Sequence, residues 1–303
     1  MRLGIVPLYE ISELRDIIST PSGIDFAKFD YSYFVEKGIK QGFRHFEITG
    51  DIYFFIPNSF NEDILKRLID FSKKYDASFS VHLPIWSIEL SSPNKKIREA
   101  SISACIETIN VFEDIKPVTY VVHPFGSLAA EFSRLRLEKG IKDIVLRFFQ
   151  LFARESLEKI ISETGIDPRR LAIETIEFPW ELTFELVEAF NTTICFDTGH
   201  TLSGQPGDID LMEFLSKYFN KISEIHLHDA LPRKSPNDFT YIDHLPLGEG
   251  KLPFCKILEY LMVNSFQGPV VFELSYRDVE KSLEAIKSRC RIDLTSIGFE
   301  GII

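Results

Sequence analysis

Lysine and arginine never gather into a run along this chain of 303 residues, and acidic residues outnumber basic ones by 45 to 34, a formal net charge of -11. Such a balance gives no overall attraction to a polyanion and counts against nucleic acid as the partner. A cleft can still be locally basic, above all with metal cations in it, so DNA stays an alternative. No stretch approaches the roughly 18 consecutive apolar residues of a membrane span, and no membrane partner is expected. The opening MRLGIVPLYE lacks the charged, apolar and small-residue regions of a secretory signal. The four cysteines, Cys105, Cys195, Cys255 and Cys290, are scattered without CxxC spacing. Buried free thiols in a reducing cytoplasm are therefore expected. Also missing are a GxGxxG after any apolar run, a Pro/Gly-rich linker, a low-complexity segment and a short-period repeat.

What is present suits a large core. Apolar residues make up 45% of the chain and aromatic residues 13%, with 27 phenylalanines, which excludes disorder. Most of these rings must be core, though a few could line a pocket for a bulky apolar ligand. Short β-rich runs recur at Leu3–Pro7, His45–Thr49, Ser78–Leu83, Thr119–His123, Leu171–Thr175, Thr193–Asp197, Glu224–His228 and Val270–Leu274. Several are apolar almost to their last residue, the pattern of parallel strands buried on both faces. Between them the spacing turns helical, as at Ile64, Leu68 and Phe71 and at Val279, Leu283 and Ile286. The long apolar stretch from Glu131 to Ile161 predicts more than one helix. Eight strand–helix units with no composition break predict an α/β fold, a single TIM-type (β/α)8 barrel spanning 1–303 as one domain. A doubly wound open sheet is the alternative.

The polar residues fall at one end of this pattern. Six runs finish on or near a side chain able to bind a metal: His82, His123, Glu174, Asp197, His226 and Glu273. His200 follows in DTGH and His244 lies in IDHLPLGEG, so five of the seven histidines sit at these positions. A barrel gathers the C-terminal ends of its strands on one face, which turns a scattered list into a cluster. Imidazoles with carboxylates are the usual ligands of zinc and also suit manganese or iron. Each residue has a plainer reading: a strand-end histidine can be a hydrogen-bonded structural group, and an Asp or Glu there can cap the next helix. His45 starts a run on the opposite face and takes the structural reading.

In this order the segments SVHLPIWSIELSSPN, VVHP, AIETIE, CFDTGH, IHLHDA, DHLPLGEG and VFELS resemble the xylose-isomerase-like TIM barrels. That superfamily holds the AP endonuclease family 2 proteins and the sugar-phosphate isomerases and epimerases. The likeness covers about His82 to Glu273. It implies one ion on His82, His123 and Glu174 and a second on Glu174, Asp197, His226 and Glu273, with Glu174 bridging. It implies a third site at His200 and His244, so two or three divalent ions are expected, zinc first. Ile242 stands where the endonuclease pattern has an Asp, and Asp243 in an extended segment is expected to point away from His244. LGIVPLYE also lacks the polar first-strand motif of the repair enzymes. The ligand pattern is closest to endonuclease IV and to cobamide-remodelling phosphodiesterases. It implies a metal-dependent phosphodiester hydrolase acting on a small nucleotide-like substrate, such as the nucleotide loop of a cobamide. The alternatives are a sugar or sugar-phosphate isomerase/epimerase in which Glu174 and Glu273 act as the catalytic acid and base, an AP endonuclease, and a barrel that only binds a ligand or partner.

Overall fold

The computed structural model describes residues 1–9, 14, 18–21, 23–56, 58–235 and 238–301. Eight parallel strands form a closed barrel in sequence order: β1 Arg2–Ile5, β2 His45–Thr49, β3 Ser78–His82, β4 Tyr120–Val122, β5 Leu171–Glu174, β6 Thr193–Asp197, β7 Ile222–His226 and β8 Pro269–Phe272. Strand β1 closes the ring by pairing with both β8 and β2. This is the TIM barrel that the strand count predicts. The strands are buried along nearly their whole length, because the helical ring covers their outer side and their own side chains fill the inside.

The seventh strand differs most from its sequence pattern, starting at Ile222 and stopping at His226 rather than His228. Past that point the Thr198 hydroxyl lies 3.0 Å from the His226 carbonyl and 3.2 Å from that of His228. The chain then leaves the barrel for a small hairpin, Asp229–Leu231 against Ile242–Leu245. His123 and Glu273 likewise lie one residue beyond β4 and β8. The long apolar stretch resolves into two helices, Ser127–Arg134 and Lys139–Thr164.

His45 sits at the N-terminal end of β2, its ring held by Ser78 at 2.9 Å and Ser80 at 3.0 Å. Ser80 in turn donates to the buried Glu224 at 2.6 Å, which also accepts from Thr119. The floor of the barrel is thus polar but paired, and the structural reading of His45 fits.

The cysteines depart from expectation. Cys105 and Cys195 are buried free thiols, but Cys255 and Cys290 form a disulfide across 35 residues with Cα atoms 5.1 Å apart. Cys255 lies on the helix Phe254–Val263 that precedes β8, and Cys290 ends the turn Ile286–Cys290 that follows it. Their distance along the chain conceals this closeness, which geometry alone reveals.

Candidate metal centre

Strand register brings the polar residues to one level. Thr49 pairs with His82, Glu174 with Cys195, and Asp197 with His226. Glu174 is 1% exposed and spends both oxygens on imidazoles. Its Oε2 lies 3.1 Å from His82 Nε2 and 2.7 Å from His123 Nε2. Its Oε1 lies 3.1 Å from His200 Nδ1 and 3.7 Å from His226 Nδ1. His226 Nδ1 also faces Glu273 Oε2 at 3.3 Å and Asp197 Oδ2 at 3.8 Å.

Among the described residues five sets of donor atoms have their atoms within 4.8 Å of one another. Three gather at the mouth: His82, His123 and Glu174; Glu174, Asp197, His226 and Glu273; and His200, His228 and His244. The other two, Glu174, Cys195 and His226, and Glu47, Glu224 and His226, lie deeper around His226. A divalent ion holding N and O ligands at about 2.0–2.2 Å needs this kind of crowding. The chemistry of the donors fits such an ion as well. His200 Nδ1 and His226 Nδ1 are buried without a hydrogen-bond partner among the described residues, although carboxylate oxygens surround them. Lone pairs of neutral imidazoles facing those of carboxylates repel unless a proton or a cation lies between them.

Protons play that part when no cation does. Burial alone lowers the pKa of His82, but the Glu174 hydrogen bond and the charges of Glu47, Glu174 and Glu273 raise it to about 10. His200 rises to about 9 against its burial, through Asp197 and Glu174. His244 rises to about 10 against its burial, through Asp243 and Glu273. Burial pushes Glu174 and Glu273 up, yet facing imidazoles hold both well below the usual carboxylate range: His123, His226 and His200 at Glu174, His226 and His244 at Glu273. A cluster of this many acids with raised imidazoles favours positive charge, carried by protons or by cations.

Asp197 caps the next helix with one oxygen and turns the other toward the donor cluster. Its Oδ1 caps the helix Thr198–Ser203 by accepting from the His200 N–H at 2.6 Å. Its Oδ2 meets His228 Nε2 at 2.9 Å and faces the cluster. The DTGH glycine is required here, because a Cβ on Gly199 would lie 2.1 Å from the His228 ring. Asp229 does comparable work for the PLGEG loop, taking backbone N–H groups from Gly248 at 2.8 Å, Gly250 at 3.0 Å and Leu252 at 2.7 Å. A Cβ on Gly250 would meet the Asp229 carboxylate at 2.3 Å.

The third set departs from the sequence reading. Asp243 Oδ1 lies 2.9 Å from His244 Nδ1, because His244 has a left-handed φ of 51° that breaks the alternation of an extended segment. The other Asp243 oxygen accepts from Gln205 Nε2 at 2.6 Å. His228, which the sequence reading left over, stacks on His244 with ring centroids 4.0 Å apart. Both its nitrogens are engaged, Nδ1 accepting the His244 N–H at 2.9 Å and Nε2 meeting Asp197. Although its ring lies within reach of His200 and His244, His228 is therefore better placed to hold Asp197 and His244 than to ligate. Two-residue periodicity puts His228 on the face of His226 and Glu47 on that of His45, but assigns neither of them a partner.

Above the donors lies a cavity of about 490 Å³ with Ile85, Trp86 and Phe125 in its wall. A side cavity of about 240 Å³ adds Tyr9 and Glu47. Asp51 fixes the Trp86 loop by accepting the Ile85 and Trp86 N–H groups at 2.9 and 2.8 Å.

The chain belongs to the xylose isomerase-like TIM barrel family (AP endonuclease 2), whose model matches residues 35–291. It is 25% identical over 244 residues to an uncharacterized protein of Methanocaldococcus jannaschii, a span covering 75% of each chain. A probable endonuclease 4 of Petrotoga mobilis is 27% identical over 151 residues, 47% of this chain and 52% of that protein. Among solved structures, a D-tagatose 3-epimerase-like protein superposes with a TM-score of 0.67 at 21% identity, covering 98% of this chain and 100% of that one. At that identity the likeness speaks for the fold alone.

Proposed function

From that family membership we propose that the protein is a metal-dependent phosphodiester hydrolase acting on a small nucleotide-like substrate, the nucleotide loop of a cobamide being one candidate. The observation that carries this reading is Glu174, whose two oxygens face two separate donor sets. One set is His82 with His123, and the other is Asp197, His226 and Glu273. Two divalent ions there, zinc first and manganese or iron next, would supply a nucleophile from water near neutral pH and neutralise charge on the phosphoryl oxygens. The chain's own part is to orient and to exclude water. Glu174 sets the spacing of the two donor sets. Asp197 is locked by its helix cap and by His228, and Ile85, Trp86 and Phe125 wall the cavity. His200 and His244 line the same space and make up the third candidate set, with His228 behind them. A small substrate suits the modest cavity and the net charge of -11.

An isomerase would use Glu174 and Glu273 to move a proton beside a single ion held with Asp197 and His226, and would have no need of the separate donor set at His82 and His123. The deciding experiment loads the protein with zinc or manganese and offers a cobamide, an abasic duplex and a ketose or its phosphate side by side. Cleavage of the cobamide diester is expected, with weak or no incision of the duplex. Efficient incision at physiological salt overturns the choice of substrate. Interconversion of the sugar with neither diester cut overturns the hydrolase reading.

A further inference from the structure

The histidines of the cluster do not all enter it by the same nitrogen. His82 gives its Nδ1 side to the Leu83 carbonyl at 2.8 Å, which leaves Nε2 toward Glu174. His244 is held at Nδ1 by Asp243 and turns Nε2 toward Glu273 at 3.5 Å. His226 is reversed. Its Nδ1 faces Glu273, Glu174 and Asp197, while its Nε2 lies 3.1 Å from Oε2 of Glu47.

Among the described residues Glu47 has no other hydrogen-bond partner, although its charge also reaches His82 and Glu224 lies close by. It projects from the middle of β2 into the barrel at 1% exposure. Its second oxygen, Oε1, is buried without a hydrogen-bond partner among the described residues. The other carboxylate at this depth, Glu224, is already taken by Ser80 and Thr119 and lies 3.8 Å from His45. A buried carboxylate is costly to desolvate, so one kept against a single imidazole calls for an account.

We infer that Glu47 is a positioning residue for His226: it accepts the Nε2–H and so keeps the lone pair on Nδ1, aimed into the set formed with Glu174, Asp197 and Glu273. Three carboxylates surround Nδ1, so without Glu47 the opposite tautomer is favoured, with the proton on Nδ1 and donated to Glu273. That tautomer cannot ligate from the side facing the set. A carboxylate behind the ring reverses the preference and makes the imidazole more basic. The consequence is selective. The ion held by Glu174, Asp197, His226 and Glu273 depends on Glu47 through a direct hydrogen bond, whereas the one held by His82 and His123 feels only its more distant charge, since Leu83 fixes His82.

This inference rests on the metal reading above, and its test separates the two. Zinc affinity of the full chain is measured by chelator competition for wild type, Glu47→Leu and Glu47→Gln, with circular dichroism as a check of the fold. In Glu47→Leu one ion is expected to bind about 10- to 100-fold more weakly and the other as in wild type. Glu47→Gln keeps an acceptor without the charge and should fall between. A merely structural role predicts lower thermal stability with both affinities within about twofold of wild type, and that result overturns the inference alone. Should Glu47→Leu fail to fold, Glu47→Gln decides, a selective loss supporting the inference and two unchanged ions refuting it. Wild-type protein that takes up no zinc removes the metal reading and this inference with it.

Discussion

Replacing Glu174 with glutamine keeps the volume of the side chain and removes one negative charge from the place where four imidazoles meet it. At 1% exposure little water is at hand to substitute for that charge. Oε2 meets His82 at 3.1 Å and His123 at 2.7 Å, and Oε1 meets His200 at 3.1 Å. A glutamine must turn its amide NH₂ toward one of these pairs, presenting a donor where a ligand is needed. On the two-ion reading one ion would lose its ligand, the other would keep only a neutral amide oxygen, and the charge tying them would be gone. A supporting residue behind a ligand is worth roughly 10- to 100-fold in metal affinity or activity, so losing the shared ligand should cost turnover at least about 10³-fold. In barrier terms that is about 4 kcal/mol. The assay pairs elemental analysis of the purified variant with steady-state hydrolysis of the diester substrate, after circular dichroism shows a folded protein. Activity within about tenfold of wild type, at normal metal content, would refute the bridging role.

His82→Ala and His123→Ala should each lower metal content by about one ion and remove most turnover, whereas full loading with near-normal activity in both would leave the hydrolase reading without support. Metal uptake should release protons, because His82 and His244 stay protonated up to about 10 and His200 to about 9 while an ion takes only neutral rings. Affinity should therefore rise with pH from 6 to 9, measured by titration calorimetry in buffers of different ionisation heat, and a flat profile would contradict these assignments. The sign for metal-free protein is the reverse: these raised histidines stabilise the fold fully below about pH 6.5, and that contribution fades as pH climbs through about 9 to 10. Thermal melts without metal should fall over that window. Gly199→Ala should push the His228 ring aside, costing about 1–3 kcal/mol by thermal denaturation, and an unchanged melting temperature would mean the ring has room that the 2.1 Å approach denies it.

Most of the barrel could be read from the chain, because buried parallel strands are continuous apolar runs and their ends carry the exceptions. His82, Glu174, Asp197 and His226 stand out since a strand end is the one place where a polar group in such a run needs no excuse. The rest was hidden for separate reasons. Glu47 sits inside a run rather than at its end, so it looks like an interruption until the opposite strand shows His226 behind it. His228 belongs to the same face as His226, but the chain has already left the barrel there, and only the stacking on His244 gives it a place. The pairing of Asp243 with His244 depends on one backbone angle that no pattern of residue types specifies. The Cys255–Cys290 bridge depends on two segments being neighbours around a ring, which spacing along the chain does not encode.

Asp229 grips the PLGEG loop entirely by backbone N–H groups, from Gly248, Gly250 and Leu252. Its hold is therefore indifferent to what Glu249 and Lys251 carry as side chains, while the glycines and the buried Leu247 keep the path fixed. Substitutions at Glu249 and Lys251 would leave these backbone bonds, and with them the course of the chain next to His244, in place. The rim of the barrel is thus a place where side chains can change while the backbone framework beneath them stays put.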